Sequence, residues 1–251
     1  MTKKCYSQGD QDIIIDQVFE KIKPTNKFCV EFGHNTNSLT SGSGANTANL
    51  ILNKGWSGLL FDGDYQNENI NLYKEFLSSE NICDVFKKHN VPTDLDYLSI
   101  DVDSTDLWLF DKILTEYSPK LVSVEYNSHY SIEEAITFPN DVSEVHQKDR
   151  GYGASLKALT LAAKKHNYHL VYVERLLDAF FIHDDYKDLF EIPKLSDFEN
   201  DCSLVHHRPL NIPERHKLFL DYEVYLNTNG DVEASREAAL EVTKHRLIEF
   251  K

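Results

Sequence analysis

Four carboxylates stand at the carboxyl ends of short apolar runs: Glu31 after 28–30, Asp62 after 58–61, Asp101 after 97–100 and Glu125 after 121–124. In an open parallel sheet, ligands bind in the crevice beyond those strand ends. These acids are therefore the first candidates for chemistry. Asp101 is followed by Asp103, on the same side if the strand continues, and by Asp106 near the next helix start. Carboxylates so close repel unless a proton or a cation separates them, and Mg²⁺ or Mn²⁺ prefers such oxygen ligands. We therefore expect a metal site at Asp101, Asp103 and Glu125, against a plainer arrangement in which Asp106 caps a helix and Asp103 is solvated. His129 is the nearest imidazole and a candidate general base near neutral pH. Asp101 and Glu125 are the other catalytic candidates, Glu125 by completing a metal shell or orienting a substrate hydroxyl.

The Glu31 end reads as a binding site for a nucleotide-like group. Gly33 lets backbone approach a ligand closely. The Ser-, Gly- and Asn-rich stretch 41–46 can aim amides at an anionic group from the start of the next helix, which puts Asn46 and Thr47 among the binding candidates. A carboxylate at the end of the second strand, Asp62, accepts the hydroxyls of a ribose. The alternatives are a surface turn for the first stretch and a helix cap for Asp62.

The elements that must position these residues alternate. Apolar periodicity predicts a helix over 13–22, a strand over 28–31 and a helix over 46–54 closed by Gly55. A strand over 58–61 follows, then short helices around 69–77 and 82–89. Next come a strand over 97–100, a helix over 107–117 and a strand over 121–124. A long loop runs from 126 to about 153, then a helix over 155–166 and strands over 168–173 and 179–183. Alternating strands and helices give a parallel sheet covered on both faces. The last connection is shorter than the roughly dozen residues of a parallel crossover, so the final strand runs antiparallel. Helices over 214–226 and 233–250, parted by Gly230, form a packing annex or a dimer surface. The domain assignment is 1–190, with a C-terminal helical extension over 191–251.

With 251 residues, 41% apolar and 27% charged, the chain suits one sizeable α/β domain. A net charge of −15 argues against a nucleic-acid backbone or an anionic membrane as partner. The four cysteines form no CxxC pair, which speaks against zinc and for reduced thiols in the cytoplasm. No apolar run reaches the ~20 residues of a membrane span. His206-His207 reads as exposed loop.

Several segments in order resemble the FkbM-like S-adenosylmethionine-dependent methyltransferases of class I. They are Val30-Glu31-Phe32-Gly33, Ala45-Asn46-Thr47, and the turn Gly55-Trp56-Ser57-Gly58 leading to Asp62. Ser99-Ile100-Asp101-Val102-Asp103, Glu125-Tyr126-Asn127 and Tyr152-Gly153-Ala154-Ser155-Leu156 are similar to motifs of one subgroup. Ala179-Phe180-Phe181 matches its Asn-Ala-Phe-Phe strand with Asp178 in place of Asn. The match spans roughly 7–185, and the family's small residues after Glu-x-Gly are replaced by His34-Asn35-Thr36-Asn37. The resemblance implies a Rossmann-like α/β fold with a final antiparallel strand and S-adenosyl-L-methionine as cofactor, with Asp62 on its ribose and Ser79 or Glu80 near its adenine. It also implies methyl transfer to a sugar or glycan hydroxyl of a capsule or surface polysaccharide pathway. Two rivals remain. One is a metal-dependent glycosyltransferase using Asp101-x-Asp103; the other is an inactive, oligomeric binding module that keeps the pocket.

Overall fold

The structure, a computed structural model, describes residues 6–42, 44–141, 151–204 and 217–249. Its frame is a seven-stranded sheet in the order β3-β2-β1-β4-β5-β8-β7. The strands are β1 (Phe28–Phe32), β2 (Ser57–Asp62), β3 (Leu72–Lys74), β4 (Tyr97–Ile100), β5 (Leu121–Glu125), β7 (Tyr168–Val173) and β8 (Asp178–His183). β3, β2, β1, β4 and β5 pair in parallel, and β8 pairs antiparallel with both β5 and β7. This is the expected Rossmann-like layout of a mostly parallel sheet, antiparallel at the strand where the short connection requires it.

Strand alternation sorts the sheet onto two cores. Cys29, Tyr97, Leu121, Phe180 and Ile182 meet helix α1 (Gln11–Ile22) through Ile14, Ile15, Val18 and Phe19. Val30, Leu98, Val122 and Phe181 face the opposite core, with α3 (Ile82–Lys88), α4 (Asp106–Ile113) and α5 (Leu156–Lys165). Ser155 starts α5 by accepting the Ala158 N–H at 3.2 Å.

Several elements differ from expectation. The helix expected around 69–77 is a 3-10 turn, Glu68–Ile70, followed by β3. The Asn67 side chain accepts the Asn69 N–H at 3.1 Å and Asn71 turns left-handed at φ 54, so the chain leaves helical geometry and Leu72 is buried beside Leu60. Helix α2 begins at Ala48 rather than 46 (Ala48–Lys54), and the Asn46 and Thr47 amides just ahead of it donate to the Glu31 carboxylate. Within the expected loop 126–153, β6 (Ile136–Thr137) pairs antiparallel with β9 (Leu220–Asp221).

β9 lies where helix 214–226 was expected. The helix there is Tyr222–Asn227, started by Asp221 accepting the Val224 N–H at 3.0 Å, and Val232–Glu249 follows. The earlier part of the expected helix, and His206 and His207, lie outside the described residues. The C-terminal segment packs as an annex: Phe219 and Ala239 join Tyr130, Ile136 and Phe138 in one cluster, and Tyr222 and Tyr225 meet Trp108 edge-on. No helix among the described residues is long and apolar enough to cross a membrane.

Candidate functional site

Glu31, near the end of β1, is buried, and its carboxylate is taken up by the loop ahead of α2. Oε1 accepts the Asn46 N–H at 2.8 Å; Oε2 accepts the Thr47 N–H at 3.2 Å and the Thr47 hydroxyl. The released Asn46 side chain donates to Ser99 Oγ at 3.1 Å and to Asp178 Oδ2 at 3.0 Å. Gln11 of α1 donates to the same Asp178 oxygen at 3.2 Å. Below them the Ser123 hydroxyl donates to Ser99 at 3.2 Å and pairs with Tyr97 at 2.8 Å. A buried polar chain thus crosses β4, β5 and β8, and such a network is rigid when its members are satisfied.

Two cavities adjoin at the carboxyl ends of the parallel strands. The first, about 280 Å³, is lined by Asp62, Glu75, Phe76, Leu77 and Asp103, together with Gly33 and Asp101. The second, about 300 Å³, is lined by Gln11, Glu31, Asn46, Glu125 and Asp178, again with Gly33 and Asp101. Gly33 and Asp101 are thus common walls. At Gly33 φ is 69°, and a Cβ would lie 1.9 Å from the Asp101 carbonyl oxygen, so only glycine fits. Asp62 Oδ1 accepts the N–H groups of Asp64 at 2.7 Å and Tyr65 at 3.0 Å, capping a turn rather than a helix. Its other oxygen has no hydrogen-bond partner among the described residues and belongs to a side chain lining the first cavity.

Where the cavities meet, Asp101, Asp103 and Glu125 each bring a carboxylate oxygen within 4.8 Å of the others. Glu125 Oε2 is buried and has no hydrogen-bond partner among the described residues. Burial, then the negative charge of Asp103, pushes the Asp101 carboxyl well up; burial, then Asp101, does the same to Glu125. Asp178 is pushed up to about 6 by burial, against the hydrogen bonds from Gln11 and Asn46. No Lys, Arg or His is among the described residues lining either cavity. The arrangement can hold a hard cation or accept protons from hydroxyl groups.

The other expected site residues fall elsewhere. Glu31, Asn46 and Thr47 form one hydrogen-bonded unit, but of the three only Glu31 and Asn46 line a cavity, and it is not the one that holds Asp62. Ser79 lines neither; its hydroxyl donates to Asn140 Oδ1 at 2.9 Å. His129 is buried, lines neither cavity, and its backbone N–H donates to Asn127 Oδ1 at 2.9 Å. Asn127 is itself fixed by donating to the Tyr152 carbonyl at 3.0 Å. Gln11, Glu75, Phe76 and Asp178 were not among the expected binding residues. Of these only Asp178 carried a signal, as the acid standing where the resembling motif has Asn.

No family model matches the chain, and no curated protein sequence matches it. Among the solved structures similar to it are two at 13% sequence identity. One, "Crystal Structure of the N-terminal domain of EvdMO1 in the presence of SAH and D-fucose", covers 69% of this chain and 82% of its own, with a TM-score of 0.41. The other, the same domain "with SAH bound", covers 71% and 82%, with a TM-score of 0.40.

Proposed function

We propose that the protein is an S-adenosylmethionine-dependent O-methyltransferase of the FkbM-like kind. In this reading it acts in the cytoplasm on a sugar or glycan hydroxyl of a capsule or surface polysaccharide pathway, assisted by Mg²⁺ or Mn²⁺. The observation that carries the reading is the pair of cavities joined at Gly33 and Asp101, with Asp62 in one and the acidic cluster at the junction. The first cavity suits a nucleoside: the free Asp62 oxygen accepts ribose hydroxyls, and Phe76 and Leu77 offer apolar surface to a base. The second, walled by carboxylates and amides, suits a hydroxyl-rich acceptor.

A divalent cation fits the cluster. Its donors are all carboxylate oxygens, one of them buried without a hydrogen-bond partner among the described residues. Asp101, Asp103 and Glu125 would hold the ion, which would neutralise their mutual repulsion and polarise a nearby hydroxyl. The chain's residues account for the remainder. Gly33 and Asp101 keep the two cavities in contact, so cofactor and acceptor are held for in-line displacement. With the methyl donor bound, the acceptor oxygen would bond to the methyl carbon as the carbon–sulfur bond breaks. The hydroxyl proton would pass to a carboxylate lining the second cavity. His129, lining neither cavity, is not needed for that role.

The test is methyl transfer from S-adenosylmethionine to a panel of monosaccharides and oligosaccharides, with Mn²⁺ and with excess EDTA. Transfer that vanishes with chelator and returns with Mn²⁺ supports both parts of the reading. Full transfer in EDTA removes the metal and keeps the enzyme. Binding of a UDP-sugar without S-adenosylhomocysteine binding moves the assignment to a glycosyltransferase.

A further inference from the structure

We propose that Asp106 is a positioning residue, whose two carboxylate oxygens grip the backbone on either side of Asp103 and so aim the Asp103 carboxylate at Asp101 and Glu125. The inference rests on the metal reading above. Asp106 is fully buried and lines neither cavity, so it is placed to act through its neighbours. Its Oδ1 accepts the Val102 N–H at 2.7 Å and its Oδ2 accepts the Ser104 N–H at 2.9 Å. The Ser104 hydroxyl closes the turn by donating to the Val102 carbonyl at 3.3 Å. Between those two amides Asp103 adopts φ 59, a left-handed conformation that Asp tolerates better than most non-glycine residues.

A plain helix cap does not require this residue. Ser or Asn starts a helix with one acceptor atom, whereas here two acceptor oxygens are used at once, on amides that flank a cluster member. In Asn one of the two oxygens is replaced by an NH₂ donor, so the two amides, each now held by an oxygen of its own, can no longer both be met in this geometry. Burying a carboxylate is costly, and that cost is met here where it fixes the direction of Asp103.

The test is Mn²⁺ binding to the cofactor-free full chain, read by the electron paramagnetic resonance signal of free Mn²⁺. The chains compared are the wild type, Asp106→Asn, Asp106→Glu, Asp103→Ala and the double variant Asp103→Ala/Asp106→Asn, each checked for folding by circular dichroism melting. Asp106→Asn is expected to weaken Mn²⁺ binding at least tenfold. Asp106→Glu keeps the charge but misplaces the oxygens, and should weaken it severalfold. In the Asp103→Ala background, Asp106→Asn should change affinity less than twofold, because the group it positions is gone. Equal weakening in both backgrounds would reduce Asp106 to a nearby charge and overturn the proposal. So would Mn²⁺ affinity within twofold of wild type in both Asp106 variants, with only the melting temperature lowered. A wild-type chain that binds no Mn²⁺ would overturn the metal reading itself.

Discussion

Glu125 and Asp178 stand directly opposite one another in the β5–β8 ladder, two carboxylates lining one cavity that contains no basic side chain among its described residues. Like charges so placed oppose strand pairing. The Asp178 carboxyl is pushed up to about 6 by burial, above its unfolded value near 3.9. The folded chain therefore holds the proton more tightly than the unfolded chain. Stability falls as pH rises through that interval, and the full cost is present above about pH 6. In metal-free buffer, Asp178→Asn should stabilise the protein at pH 7.5 by up to about 3 kcal/mol. The Asn oxygen can still accept from Gln11 and Asn46. The gain should fade toward pH 4, as read by urea unfolding at both pH values. An equal change at both would show that Asp178 carries no buried charge.

Gly33 is the wall between the cavities, and its requirement is steric. Gly33→Ala places a methyl group against the Asp101 carbonyl in a backbone region that alanine resists. We expect a loss of about 3 kcal/mol or more in thermal or urea unfolding. A variant of wild-type stability would mean that β1 and β4 can part at their ends, which would undo the shared-wall geometry.

Asp111 ties α4 to α5. Its Oδ1 meets Lys165 Nζ at 2.9 Å and His166 Nε2 at 2.7 Å. Burial pushes its carboxyl up, but the His166 and Lys165 bonds outweigh that and hold it below the usual range. A depressed carboxyl stabilises above its unfolded pKa, and the contribution is lost as pH falls through the folded one. Asp111→Asn should lower stability by about 1 kcal/mol at pH 7 and by progressively less as pH falls through the lowered range of the Asp111 carboxyl. Parallel melting curves for wild type and variant across that range would contradict the linkage.

Some of this was legible in the sequence for physical reasons. β4 is four buried residues between acids, so its bounds follow from the apolar run alone. The antiparallel β8 follows from the short link after β7. The acids at the strand ends were legible because a parallel sheet gathers those ends. β3 was not, because Leu72 is its only fully buried residue and its surroundings are polar. β6 and β9 are two residues each and pair across a long stretch of chain, which no local pattern encodes. In the site, the bonding of Glu31 to the Asn46 and Thr47 amides depends on the path of the loop. Asp178 entered the site because β8 runs against β5, which brings its first residue to the carboxyl ends of the parallel strands.

The central claim, a nucleoside-bearing methyl donor held by Asp62 in the first cavity, is tested most directly by titrating S-adenosylhomocysteine calorimetrically into the wild type and into Asp62→Ala. Asp62 lines that cavity, with one oxygen engaged by its own turn and the other without a hydrogen-bond partner among the described residues. The account predicts saturable binding at one site per wild-type chain. It also predicts a loss in the variant of roughly 1.5–3 kcal/mol for each charge-assisted hydrogen bond removed, which is about ten- to a hundredfold. Wild-type protein that takes up no S-adenosylhomocysteine, or an Asp62→Ala variant that binds it unchanged, would contradict the account.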